Sequence, residues 1–430
     1  FQGRLAQVGR VGTCRDFDEL AAWIDAQPQP QAEQAATILA RARETLAQAK
    51  ALAAAARTDA RRWPEALETL DGAHASAVEA YLLAQPSRPV EGRAIWNHSG
   101  TGAYPGDWER TAKELAEAGF NMVLPNMLWG GLAHYPSDLL PRSGTFTEYG
   151  DQIAQCVAAC HRHGIEVHVW KVNFNLSTAP ASFVQQMRSA GRTQVNYRGE
   201  DVDWLCPSDP RNFALERDSM LEVARRYDVD GLHFDYIRYP GSQSCYCDNC
   251  RKRFEAHLGR RVEHWPDDCR AGSLSAAYQD WRCAQINRLV EAVSHEAKRI
   301  RPGIKISAAV FGRYPDCRAS VGQDWPVWIE NGWLDFVCPM DYTEDDAEFR
   351  ALVTDQQERI GNRVPLYPGI GAWRLGSADR VVGQIAIARE LKAQGFVIFN
   401  LDPDTPQQLF GALRLGPCRE DARPPHRDEN

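Results

Sequence analysis

Beyond residue 89 the chain alternates short apolar runs with longer segments of helical period. The runs Arg93 to Asn97, Asn121 to Pro125, Ile165 to Val172, Val229 to Tyr236, Ile304 to Phe311, Leu334 to Asp341, Val364 to Ile370 and Phe396 to Leu401 have the length and the β-branched and aromatic content of buried strands. Between them, Asp107 to Ala118, Gly150 to His163, Asn212 to Tyr227, Ala276 to Ile300, Asp345 to Ile360 and Ala378 to Gln394 repeat their apolar positions with helical spacing. Strands alternating with helices predict a parallel sheet, and eight such strands predict an α/β protein of the (β/α)8 TIM-barrel class with insertions. A doubly wound open sheet is the alternative. No Gly-x-Gly-x-x-Gly follows the first strand, so the dinucleotide fingerprint of that fold is missing.

The N-terminal part has a different pattern. Residues 1–30 read as the tail of a preceding module or a linker, with a short strand from Leu5 to Val11, a helix from Phe17 to Ile24 and a Pro/Gln spacer ending at Pro30. Residues 31–88 predict a helical hairpin: an alanine-rich segment from Gln31 to about Ala60 and a second from Pro64 to Leu83, followed by the linker Gln85 to Pro89. The barrel is expected over 89–415 and a polar tail over 416–430.

Composition narrows the function. Lys plus Arg total 49 against 57 Asp plus Glu, a net charge of -8 without a basic stripe, which excludes nucleic acid as an expected partner. No apolar run approaches the ~20 residues that cross a bilayer. The chain starts at Phe1 rather than Met, so processing or truncation is expected, and the lack of a signal peptide says little about export. Oligomeric state leaves no mark in the sequence.

The stretch Val229 to Pro240 carries the chemistry. Alternation along it puts His233 and Asp235 on one face with Ile237, and Leu232, Phe234 and Tyr236 on the other. A carboxylate at the carboxyl end of a barrel strand sits where barrel enzymes keep their active sites, which makes Asp235 the first catalytic candidate. A buried acid paired with Arg238 or His233 is the bland reading. The other strand ends supply Asn126, Trp129 and Tyr135, then Trp170, then Tyr342, then Trp373, with Trp96 on the first strand. Amides, carboxylates and aromatic faces together suit a carbohydrate, whose hydroxyls need polar partners and whose rings need flat apolar ones. Glycosidic cleavage normally takes two carboxyl groups. Asp324 and Asp341 are the partners offered for Asp235, although alternation sets Asp341 opposite Met340 and Tyr342, and Asp324 opens a helix-like run. His233 and Arg238 join Asn126 and Tyr342 as expected substrate contacts. No cofactor is expected for catalysis. The histidines form no ligand pattern, but Cys245, Cys247 and Cys250 are soft ligands able to hold a structural zinc with Cys269 or Cys317; disulfides or free thiols are the competing readings.

Ala133 to Ser137, Asp230 to Pro240, Gln323 to Trp325, Asp335 to Thr343 and Gly395 to Asn400, taken in order, resemble the glycosyl-hydrolase-like ten barrel family of bacteria over about residues 92–405. The resemblance implies an exported or envelope-associated glycosidase, with peptidoglycan strands stripped of peptides among the family's substrates. Strand four is also similar to the motif of chitinase-like barrels, but Ile237 stands where their acidic glutamate would be. It also looks like the nucleophile strand of amylase-type barrels. A non-catalytic carbohydrate-binding barrel is the alternative.

Overall fold

The computed structural model of the chain describes residues 1–28 and 30–426; Gln29 of the Pro/Gln spacer and residues 427–430 of the polar tail lie outside the described residues. Eight parallel strands form the centre: β1 (Gly92–Asn97), β2 (Met122–Trp129), β3 (Glu166–Val172), β4 (Gly231–Asp235), β5 (Lys305–Phe311), β6 (Phe336–Met340), β7 (Gly369–Gly371) and β8 (Gly395–Phe399). Each pairs in parallel with the next, and β8 pairs with β1 through registers such as Ile95 with Ile398, so the sheet closes into a barrel. The strands are buried on both sides, because one face fills the lumen and the other is covered by helices. Ala94, Trp96, Leu124, Trp170, Val172, Ala309, Phe336, Cys338, Tyr367 and Val397 pack together in the lumen, while Ile95, Val123, Val169, Leu232, Phe234 and Val310 belong to the outer core. Gly231 is required by this filling: a Cβ there would stand 2.0 Å from Nδ1 of His168.

The helical segments form close to where periodicity places them, as Trp108–Glu117, Gln152–Arg162, Pro210–Arg226, Ser275–Ile300, Asp346–Ile360 and Ala378–Glu390. Asp107, Asp151, Asp209 and Asp345 cap four of them, each side chain accepting a first-turn backbone N–H. The seventh strand is shorter than the apolar run suggests. Leu366 makes a single bridge to Val337, and Pro365 and Pro368 supply no N–H for a longer ladder.

At the N-terminal end, helices Gln31–Ala56 and Trp63–Ala84 pack against each other through small residues, Ala35, Ala42, Ala49 and Ala53 facing Ala66, Ala73, Ala77 and Ala80, which lets the helices approach closely. The expected strand from Leu5 to Val11 does not form. A short helix, Gln2–Leu5, leads into turns, and Val11 bridges only to Cys14. Gly12 adopts a φ of +57° against the Tyr81 ring, where a side chain has no room, and its N–H donates to Asp379 of helix Ala378–Glu390 at 2.8 Å.

The Gln85 to Pro89 linker is strapped down. Arg389 donates to the Pro86 carbonyl, and Arg88 donates to the Arg389 and Ala393 carbonyls. Beneath it, Glu91 accepts from Arg93 Nε at 2.9 Å and from Arg389 Nε at 2.7 Å, with all three residues buried. The tail after residue 416 passes under the barrel, where Val90 bridges to Arg423 and His426 stacks on Phe336 at 5.0 Å.

Candidate active site

Asp235 ends β4 and points into the lumen, 4% exposed. Its Oδ1 accepts the N–H of Tyr236 at 2.6 Å. Burial pushes its pKa from the ordinary 3.8 up to about 7, against the opposing pull of that N–H, the Arg238 charge and the Trp170 indole. Such a carboxyl holds its proton near neutrality and can still release it, as a general acid must.

Strand alternation stops at the next residue. Tyr236 has a φ of +50°, a left-handed conformation that costs a non-glycine residue roughly 1 kcal/mol. Its ring therefore joins the lumen cluster at the mouth, and Ile237 goes into the outer core, the reverse of what strict alternation predicts. Trp204 lies over Tyr236 with ring centroids 5.6 Å apart and planes 29° from parallel. The Arg238 guanidinium is 4.5 Å from the Tyr236 ring, 4.8 Å from Phe311 and 5.4 Å from Trp204. Its Nη1 donates to the Tyr239 carbonyl, while Nε has no partner among the described residues.

The opposite wall is aromatic as well. Tyr342 meets Trp96, Phe399 and Trp373, with the closest centroid separation, 4.9 Å, to Trp373. Trp373 is 55% exposed, a large apolar ring facing water at the rim. His98 meets Trp129, Trp170 and Phe399, and burial lowers its pKa. The Asn126 amide, oriented so that Nδ2 donates to the Leu128 carbonyl, accepts the Trp129 indole N–H at 3.1 Å and so fixes that ring. Beside Tyr342 opens a cavity of about 310 Å³, lined also by Phe311, Arg313, Met340, Thr343 and Glu348. Glu348 pairs with Arg313 and accepts from the Thr343 hydroxyl.

Other sequence candidates have different surroundings. His233 is fully buried one step deeper: Trp96 Nε1 donates to its Nε2 at 3.0 Å, so its Nδ1 carries the proton and faces Ser307 Oγ at 2.8 Å. Burial holds this imidazole neutral, and the ring serves the barrel interior. Tyr135 sits outside the barrel wall, its hydroxyl donating to Glu222 at 2.8 Å, because the loop after β2 folds back along helix Pro210–Arg226. Asp341 is turned away from Met340 and Tyr342. Gln356 of the outer helix donates to its Oδ1 at 2.7 Å, Oδ2 has no partner among the described residues, and burial pushes its pKa up to about 8. Asp324 accepts from Tyr314 Oη and from Arg318 Nε, both at 2.9 Å.

Sequence reasoning missed Trp204, Phe399 and Glu348. Trp204 lies on a small antiparallel hairpin, 193–195 with 201–205, whose only sequence trace is the alternation Asp201-Val-Asp-Trp-Leu205. The cysteine cluster also differs in membership. Cys206, at the end of this hairpin, joins Cys245, Cys247 and Cys250, with all four sulfurs within 4.8 Å of one another. Neither Cys269 nor Cys317 belongs to the group, and Cys317 instead donates to the Gln323 carbonyl.

Comparison with known proteins agrees with the architecture. The chain is similar to Glycosyl hydrolase DigH of Escherichia coli K12, 24% identical over 306 residues that make up 62% of this chain and 65% of that protein. Glycosyl hydrolase YngK of Bacillus subtilis strain 168 is 22% identical over 343 residues, 67% of this chain and 61% of that protein. The chain thus spans somewhat less than two thirds of the curated relatives it matches. Among solved structures, the PgaB (BpsB) glycoside hydrolase domain from Bordetella bronchiseptica superposes with a TM-score of 0.58 at 15% identity, covering 72% of this chain and 94% of that one. A β-galactosidase from Bacillus circulans sp. alkalophilus gives 0.54 at 16% identity, covering 73% and 50%. These identities make the likeness one of fold. The sequence match extends from residue 93 to residue 384, and on it the chain belongs to the Glycosyl hydrolase-like 10 family.

Proposed function

We propose that the chain is a glycoside hydrolase that cleaves O-glycosidic bonds of an oligo- or polysaccharide lying across the barrel mouth. The observation that carries this reading is Asp235, a lumen carboxyl with its pKa raised to about 7, set between aromatic walls. In its protonated form Asp235 donates to the departing glycosidic oxygen. Arg238 and the rings of Trp204, Tyr236, Tyr342 and Trp373 hold the flanking sugars by stacking and charge-assisted hydrogen bonds. The second carboxylate comes from the β6 side. Asp324 is held by Tyr314 and Arg318, and Asp341 turns toward Gln356 of the outer helix, whereas Glu348 lines the cavity beside Tyr342 and is oriented by Arg313 and Thr343. Glu348 therefore takes the role of activating water. Acid–base chemistry by side chains needs no cofactor.

A bacterial envelope glycan such as peptide-free peptidoglycan is the substrate we assign, with an exported or envelope-associated location, on the motif resemblance set out in the sequence analysis. Among the described residues no helix is long and apolar enough to cross a membrane.

The test is mass spectrometry of products from a panel of cell-wall and other glycans. Wild type should generate new reducing ends, its kcat/KM should fall as pH rises past about 7, and Asp235→Asn should lose at least about a hundredfold in kcat while still binding. If Glu348→Gln keeps full activity while folded Asp324→Asn or Asp341→Asn loses it, the second role passes to that aspartate. Because Asp324 is held by Tyr314 and Arg318 and Asp341 turns toward Gln356, a non-catalytic carbohydrate-binding barrel is the second reading. Binding without turnover, unchanged in Asp235→Asn, would establish it.

A further inference from the structure

We propose that Cys206, Cys245, Cys247 and Cys250 are the ligands of a structural zinc ion that pins the 193–205 hairpin to the loop after β4 and thereby holds Trp204 over the mouth. All four thiols are buried, and their sulfurs converge within 4.8 Å of one another. A zinc ion with Zn–S distances of about 2.3 Å sets its four sulfurs roughly 3.8 Å apart, so the cluster already has the dimensions of a tetrathiolate cage. Cys206 Sγ lies 3.4 Å from Cys250 Sγ, far beyond the ~2.05 Å of a disulfide, and all four cysteines are free thiols. The Cys250 backbone N–H donates to Cys247 Sγ at 3.3 Å, stabilising negative charge on that sulfur.

The surroundings suit a dianionic centre. On binding, each thiol gives its proton to solvent, and four thiolates around Zn²⁺ leave a net charge of two minus. Two arginines stand nearby. Arg253 donates to Ser208 Oγ, which is 3.3 Å from Cys250 Sγ and 3.2 Å from Cys206 Sγ. Arg282, 2% exposed, donates to the Ser244 carbonyl, and its Nε has no partner among the described residues. Four protein ligands leave no open coordination position, so the ion is structural rather than catalytic. What it joins is functional. Cys206 lies two residues after Trp204, Cys245 and Cys247 lie on the loop that begins with Tyr236 and Arg238, and Cys250 sits in the first turn of the helix Asp248–Leu258 that ends this loop. Around the cage, Tyr246 N–H donates to the Val195 carbonyl and Ser244 Oγ to Gln194 Oε1, so the metal completes an existing seam.

The experiment measures metal content in the full chain purified without chelator. Elemental analysis should find about one zinc per chain, an organomercurial should release it into a zinc-binding dye, and cobalt substitution should give the charge-transfer and d–d bands of a tetrahedral tetrathiolate. Cys206→Ser should lose the metal, whereas Cys269→Ser should keep it. In the wild type, chelator extraction should expose the 236–250 loop to limited proteolysis, a readout independent of turnover and of how well the variants fold. Iron in place of zinc, an intact mass showing two disulfides, or four titratable thiols in a metal-free wild-type chain would overturn the proposal.

Discussion

At the residue scale, burial sets the properties of two aspartates that differ in what they face. Asp235 meets the lumen and Asp341 meets a helix, and low polarity around both favours the neutral acid. In the unfolded chain Asp341 loses its proton near 3.8, and in the folded chain it keeps it to about 8. The stability it contributes is therefore complete below its unfolded pKa and is lost as pH rises through the folded value. Asp341→Asn should flatten this dependence: thermal unfolding followed from acid to mildly alkaline pH should show the variant gaining on wild type as pH rises, with Gln356 still able to donate to the new amide. Parallel curves for the two proteins would show that Asp341 is ionised in the fold. Here the sequence was a partial guide. It placed Asp235 in the lumen correctly, because period two holds up to the last residue of β4, but the φ of +50° at Tyr236 depends on the packing of Trp204 and Arg238, and no local pattern encodes it.

At the element scale, the mouth is assembled from loops, and the hairpin carrying Trp204 is the clearest case. It belongs to no barrel strand, yet it provides a stacking surface beside the acid. Trp204→Ala should weaken glycan binding by about 1 kcal/mol, seen as a roughly fivefold higher KM with kcat nearly unchanged. An equal fall in kcat with KM unchanged would mean that the ring acts in the transition state alone. The legibility of each element follows its length. Helices and buried strands repeat their pattern often enough to be read, whereas the hairpin spends its residues on turns. Glu348 was hidden differently, because an acid in the first turn after Asp345 looks like favourable dipole chemistry wherever its side chain points. Cys206 lies 39 positions before Cys245 in the numbering, on a different loop, and only the folded barrel brings the two together.

At the scale of the whole molecule, the barrel is fastened from below. Glu91, Arg93 and Arg389 join the linker, the first strand and the last long helix, and the tail lays His426 across the base between Tyr367 and Glu166. Removing the one carboxylate between two buried guanidinium groups leaves their charge uncompensated. Glu91→Gln should cost about 3–5 kcal/mol in urea unfolding; a loss under 1 kcal/mol would mean that water reaches the seam in the variant. The closing contact of the ring has another consequence. Gly92 pairs with Gly395, and the N-terminal turn at Gly12 waits for Asp379, so both early parts of the chain depend on partners translated much later. During synthesis the first barrel strand must keep an unpaired edge until residue 395 has left the ribosome, and a nascent chain stalled before that residue presents the edge to its neighbours as an adhesive surface.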